Sequence, residues 1–254
     1  MGGRFRQPGE DMLFLIHGLG VDHRMWVFQQ RRLTRDYHIK APDLPGFGEN
    51  PPPENTAFDP LVHLADFVAD EIKSSGADKV NLCGYSMGGT LALMVALRNP
   101  GLVDSLALVC SSPCWGGGRK WVRGLTLGPL ALLSASFLGF GMRAGVYRHL
   151  KGEADRNLLL DMLGKADKYF SARLLKSLFA VDLRPRLGEI KVPTLIIGGE
   201  RDLLAPVSHQ RFLHQGIEGS SLALIPGAGH YYCIQKPDDF ASRLADFERG
   251  IITR

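Results

Sequence analysis

Six short apolar runs, spaced along nearly the whole chain and separated by helical patterns, constrain this sequence more than any other feature. They are Met12–Ile16, His38–Ala41, Lys79–Cys83, Ser105–Cys110, Val192–Ile197 and Ser221–Ile225. Most are continuous rather than alternating, as strands covered on both faces must be. Helical stretches lie between them at Met25–Arg35, Phe58–Ser74, Gly88–Arg98, Pro206–His214 and Pro237–Ile251. Pro60, Pro206 and Pro237 sit near helix starts, where a missing N–H costs nothing. The alternation predicts an α/β fold with a doubly wound, mostly parallel sheet.

The rhythm breaks once. From Ser112 to Arg186 the sequence contains Gly-rich turns and helical patterns, Arg156–Lys168 and Ala172–Ala180, but no strand signal. That is too long for a simple loop. The expected organisation is therefore a sheet domain of residues 1–112 and 186–254, with 113–185 inserted as a helical cap. In open α/β sheets ligands bind beyond the carboxyl ends of the strands. An insertion leaving from the end of Ser105–Cys110 would cover that edge.

Chemistry is concentrated in Gly84-Tyr85-Ser86-Met87-Gly88, a G-x-S-x-G sequence between an expected strand and an expected helix. A turn that tight needs glycine where side chains would collide, and it lifts the serine hydroxyl clear of the sheet. A serine hydroxyl becomes a good nucleophile only when a base takes its proton. His230, in a Gly-rich turn after the last strand, is the expected base. Asp202, after Val192–Ile197, is the expected acid, with Glu200 a neighbouring competitor and Asp182 a possible substitute. Ser, Asp, His is the order such a sheet requires. The oxyanion of acyl transfer needs two N–H donors. Met87 follows the nucleophile, and Leu19 lies in His17-Gly18-Leu19-Gly20 after the first strand.

At these residues the chain resembles a serine hydrolase of the α/β-hydrolase superfamily. Asp43-Leu44-Pro45-Gly46-Phe47-Gly48 is similar to the loop that follows that family's next strand. The lead before His17 leaves room for one small strand where the family often has two. A serine at the turn argues against the dehalogenase and epoxide hydrolase branches, which place an aspartate there. The resemblance implies hydrolysis of a carboxylic ester through an acyl-enzyme, with no metal and no cofactor. Lactonase, thioesterase, perhydrolase or carbon–carbon bond hydrolase chemistry remains open on the same residues, as does a non-catalytic receptor that binds a small ligand. More narrowly, Ser111-Ser112-Pro113-Cys114-Trp115 and Val181-Asp182-Leu183-Arg184 resemble the pimeloyl-acyl-carrier-protein methyl ester esterases of biotin synthesis.

Charge separates the two parts of the chain. The net charge is +4, too mild to argue for nucleic acid. Yet Pro113–Arg184 carries 12 Lys and Arg against 5 Asp and Glu, while the remainder carries 18 against 21. Arg119, Lys120 and Arg123 precede an uncharged stretch, Gly124–Met142, and Arg143, Arg148 and Lys151 follow it. A basic rim suits an acidic partner such as an acyl carrier protein. The apolar stretch suits an acyl chain lying against Leu127, Leu132, Leu133, Phe137 and Phe140. Its proline, serines and glycines argue against a membrane span. Four cysteines without metal spacing read as reduced, which with the absence of a signal-peptide core leads us to expect a cytoplasmic protein.

Overall fold

A computed structural model describes residues 11–55, 57–116, 143–144, 146–147 and 150–250. Six parallel strands form one sheet: β1 (Met12–Ile16), β2 (His38–Lys40), β3 (Val80–Tyr85), β4 (Val103–Val109), β5 (Thr194–Gly199) and β6 (Ser221–Ile225). Their spatial order is β2-β1-β3-β4-β5-β6. The chain therefore steps outward from β1 to β2, then returns to the other side of β1 and continues to β6. The reversal leaves a crevice between the carboxyl ends of β1 and β3, where the following loops diverge.

Alternate residues of the inner strands enter two different cores, which explains their unbroken apolar runs. Phe14, Ile16, Leu82, Leu106, Leu108 and Ile196 face one cluster; Leu13, Leu15, Cys83, Ala107, Val109 and Ile197 face the other. Helices α2 (Pro60–Ser74) and α3 (Met87–Arg98) cover the first face. Helix α1 (Val27–Leu33), preceded by a 3-10 turn at His23–Trp26, covers the second together with the C-terminal helix Pro237–Glu248.

The connection from β4 to β5 contains, among the described residues, two full helices and no strand: α4 (Glu153–Lys165) and α5 (Lys168–Ala180). Leu159 and Met162 of α4 join one core, whereas Phe170, Leu174 and Leu178 of α5 join the other. The pair thus reaches both faces of the sheet. The ends of the connection meet, because Leu183 N–H donates to the Pro113 carbonyl at 2.9 Å. The sequence pattern runs one helix from Arg156 through Lys168. Asp167 interrupts it instead, accepting the Phe170 N–H at 2.7 Å and capping α5. Helix α6 (Val207–Gly216) follows β5, and the C-terminal helix is α7 (Pro237–Glu248).

Two strands run further than their apolar residues suggest. β3 continues through Gly84 and Tyr85, and β5 through Gly198 and Gly199. Each is an inner strand, and ladder pairing (Gly84 with Ile16 and Leu108, Gly198 with Leu224) overrides the poor strand preference of glycine. Both extensions carry the chain directly to the residues of interest. Among the described residues no helix is long and apolar enough to cross a membrane. Gly124–Met142 lies outside them.

Candidate active site

Ser86 stands between the last residue of β3 and the first of α3, with φ 56° and ψ −119°. Such a backbone is costly for any residue with a Cβ, on the order of 1–3 kcal/mol. Surroundings hold it there. Ser86 N–H donates to the Val109 carbonyl at 2.8 Å, and the Ser86 carbonyl accepts from Gly89 N–H at 3.0 Å and from the Ser111 hydroxyl at 2.8 Å. The flanking glycines are required by space. A Cβ on Gly84 would lie 2.3 Å from the Gly88 carbonyl oxygen, and one on Gly88 would lie 2.4 Å from that of Ile16.

His230 follows β6 and brings its Nε2 to 3.0 Å from Ser86 Oγ. Its Nδ1 lies 2.8 Å from Asp202 Oδ2. Asp202 Oδ1 also accepts the backbone N–H groups of Leu204 and Ala205, at 2.9 and 2.8 Å. A carboxylate receiving two N–H donors is the acceptor for Nδ1–H, so Nε2 presents its lone pair to the serine hydroxyl. All three residues are buried, Ser86 at 8%, His230 at 7% and Asp202 at 3% exposure. The Tyr85 and Tyr231 rings flank the imidazole, with centroids at 5.2 and 5.9 Å. Tyr232 is instead a core residue, packed on Phe240 and donating to Asp239 at 2.6 Å.

The competing acids are placed differently. Glu200 is exposed, and Asp182 accepts a bidentate contact from Arg184, at 2.8 and 2.5 Å. Cys110 enters the site without a sequence signal. It follows β4 with φ 48°, and its Sγ lies within 4.8 Å of ligand-type atoms of Asp202 and His230. Burial, reinforced by the adjacent Asp202 charge, pushes its thiol well above the ordinary range. Held as the thiol, it is a poor nucleophile. All four cysteines are buried and unpaired. A second cluster, Asp22, His23 and Asp43, has its carboxylates occupied by Arg24, the His23 N–H and ring, and the Glu49 N–H.

The loop after β1 closes the other side. Gly18 is so near that a Cβ there would lie 3.2 Å from Ser86 Cβ and 2.9 Å from the Tyr85 ring. Fully buried His17 fixes this loop. Its Nε2 accepts the Leu44 N–H at 2.9 Å, so Nδ1 carries the proton and donates to the Gly18 carbonyl at 2.9 Å. Burial lowers the His17 pKa and keeps the ring neutral. With the Gly18 carbonyl held by His17, the trans peptide directs the Leu19 N–H the opposite way. Met87 opens α3, where N–H groups have no partner inside the helix.

Arg143 and Lys151 are exposed. Arg119, Lys120, Arg123 and Arg148, with Leu127, Leu132, Leu133, Phe137 and Phe140, lie outside the described residues. The two short fragments at the ends of the β4–β5 connection have structural duties. Ser111 supports Ser86, Trp115 Nε1 donates to Thr90 Oγ1 at 2.8 Å, and Asp182 binds Arg184.

Residues 11–237 match the family described as alpha/beta hydrolase fold. A pimeloyl-[acyl-carrier protein] methyl ester esterase of Nitrosomonas europaea is 28% identical over 241 residues, covering 91% of this chain and 92% of its own. Among solved structures, an enol-lactonase from Burkholderia xenovorans is 25% identical with a TM-score of 0.79, covering 98% of this chain and 94% of its own. An esterase from Exiguobacterium antarcticum reaches a TM-score of 0.84 at 22% identity, covering 95% of this chain and 93% of its own, a likeness of fold.

Proposed function

The chain belongs to the alpha/beta hydrolase fold family, and from that premise we propose that it is a serine carboxylesterase working through an acyl-enzyme. The observation that carries this reading is the unbroken path from Ser86 Oγ through both nitrogens of His230 to Asp202, at 3.0 and 2.8 Å. Ser86 Oγ attacks the ester carbonyl carbon while its proton passes to His230 Nε2. The oxyanion that forms accepts hydrogen bonds from the Leu19 and Met87 N–H groups, each worth a few kcal/mol in such a site. His230 then protonates the departing alkoxide, which leaves as the alcohol. Water attacks the acyl carbonyl and gives its proton to His230. Collapse breaks the bond to Oγ, releases the acid and returns the proton to Ser86. Asp202 fixes the imidazole orientation and stabilises its charged form. The cycle as written calls for no cofactor.

The substrate class we favour is a methyl ester of an acyl chain tethered to an acidic carrier protein, with a pimeloyl chain the first case to test. Support comes from the Nitrosomonas relative, and from the net +7 of Pro113–Arg184 with Arg143 and Lys151 exposed. In this reading residues 113–185 form the cap: the acyl chain lies against Leu127, Leu132, Leu133, Phe137 and Phe140. The rim of Arg119, Lys120, Arg123, Arg143, Arg148 and Lys151 meets the carrier. A lactone is the second reading, favoured by the likeness to the enol-lactonase over nearly the whole chain.

A fluorophosphonate probe tests the chemistry, since a folded protein not labelled at Ser86 overturns the hydrolase reading. Methanol release from pimeloyl-carrier methyl ester, compared with a Ser86→Ala control, tests the substrate. Ring opening of lactones with no methanol release would favour the second reading.

A further inference from the structure

Ser86 and Asp202 follow strands that are not neighbours. β4 lies between β3 and β5, and a separate contact must keep the two loops at a fixed spacing. One side chain reaches both. Gln210 of α6 is fully buried, and its Nε2 donates to the Ser111 carbonyl at 2.9 Å and the Ala205 carbonyl at 3.1 Å. The Ser111 hydroxyl in turn donates to the Ser86 carbonyl at 2.8 Å. Ala205 N–H donates to Asp202 Oδ1, also at 2.8 Å. A continuous path therefore runs from Ser86 through Ser111, Gln210 and Ala205 to Asp202.

On the reading that Ser86, His230 and Asp202 act together, we infer that Gln210 is a positioning residue that holds the nucleophile loop and the acid loop in register. Its chemistry is specific. Both partners are carbonyls, so only a group with two N–H donors serves them, and a carboxylate of equal size would oppose oxygen to oxygen. Gln210 Oε1 has no hydrogen-bond partner among the described residues, so the buried amide is kept for its NH2 alone. The fold makes room for it at Gly198 of β5, where a Cβ would lie 2.4 Å from Gln210 Cγ. Packing alone would be met by an aliphatic side chain.

The test compares Gln210→Met, which keeps length without donors, and Gln210→Glu with the unaltered protein. Ester hydrolysis is measured per Ser86 labelled by a fluorophosphonate, so that unfolded molecules do not count. Both variants are expected to lose roughly 10- to 100-fold in kcat with KM changed less than about twofold. In an Asp202→Ala background the same substitutions should cost markedly less, because the acceptor at the acid end of the path is already lost. A residue that merely fills space would give equal losses in both backgrounds. Unchanged kcat per labelled serine, or equal losses in the two backgrounds, overturns the inference. If Gln210→Met yields no folded protein, Gln210→Asn, whose amide is one methylene short, carries the same comparison. An unaltered protein that is not labelled at Ser86 overturns the triad and this inference with it. A labelled one indifferent to Gln210 substitution overturns this inference alone.

Discussion

Arg24, in the turn after β1, donates a hydrogen bond of 2.7 Å to Asp161 of α4, 137 residues further along the chain. The same guanidinium makes two contacts with buried Asp22, at 2.9 and 2.6 Å. One cation thus joins the loop after β1 to helix α4 of the β4–β5 connection. Losing the two partners should have different consequences. Asp161→Asn, at a half-exposed position, is expected to leave the unfolding midpoint almost unchanged while making the β4–β5 connection more open to limited proteolysis. Arg24→Met leaves the Asp22 carboxylate buried without its cation, which should destabilise the whole protein by about 2 kcal/mol. Equal proteolysis rates for Asp161→Asn and the unaltered protein would show that the contact does not hold the connection.

The glycines of the serine turn should be intolerant in a way that Gly164 is not. Gly84→Ala and Gly88→Ala place a Cβ within 2.4 Å of backbone oxygen atoms that cannot yield. A loss of about 3 kcal/mol or more is expected, seen in the denaturation midpoint or as failure to accumulate folded protein. Gly164 in α4 has nothing within 4 Å of the added carbon. Gly164→Ala should therefore raise stability, by roughly 0.5 kcal/mol.

Stability should fall as the solution becomes alkaline, through one carboxyl far from the serine. Glu248 ends α7 and accepts the Ser105 hydroxyl at 2.7 and 2.9 Å. Burial pushes its pKa from 4.5 up to about 8, with Asp11 and Asp104 adding to the rise and the Ser105 contact opposing it. Folding therefore favours the protonated form. The contribution is full below the ordinary carboxyl pKa and is lost as pH climbs through the folded value. Glu248→Gln should flatten the midpoint between about pH 5 and pH 9 and raise it at the alkaline end. A Glu248→Gln profile parallel to that of the unaltered protein would exclude this carboxyl as the cause.

The proposed carrier rim makes a kinetic prediction. Charge reversal at Arg143 and Lys151 should lower kcat/KM for a carrier-tethered ester about 10-fold at low salt. It should leave a free short ester almost untouched, and the difference should shrink as salt is added. Equal effects on tethered and free esters would remove the rim from the account. A chain-length series tests the apolar stretch in the same way, because acetyl esters hydrolysed far better than six- to eight-carbon esters would exclude an acyl-binding role.

Much of this architecture is legible in the sequence for a simple reason. Strands buried on both faces must be apolar throughout, and a serine held on so tight and strained a turn must be flanked by glycine. Ser86, Asp202 and His230 stand out as candidates because each lies past a strand, in the order expected of such a sheet. Gln210 could not. Within α6 it is one polar residue among several, and nothing local says that its helix face is covered by β5 and two loops. Ser111 and Cys110 are hidden likewise, since their partners come from strands far away in sequence. Asp167 was legible in principle as a capping residue, but the helical pattern on either side of it masks the break. The strand ends at Tyr85 and Gly199 escape because pairing with neighbours, not side-chain preference, sets them.

The backbone at Ser86 has a consequence for the history of such a chain. Its φ of 56° is one that glycine adopts freely and serine does not. Ser86→Gly would relieve that strain, so on the proposed role the hydroxyl is kept against a standing pull toward a more stable protein. A lineage no longer selected for its reaction would be expected to drift toward losing this residue early, keeping the sheet and both cores intact. Ser86 is the part of this molecule that folding itself would discard.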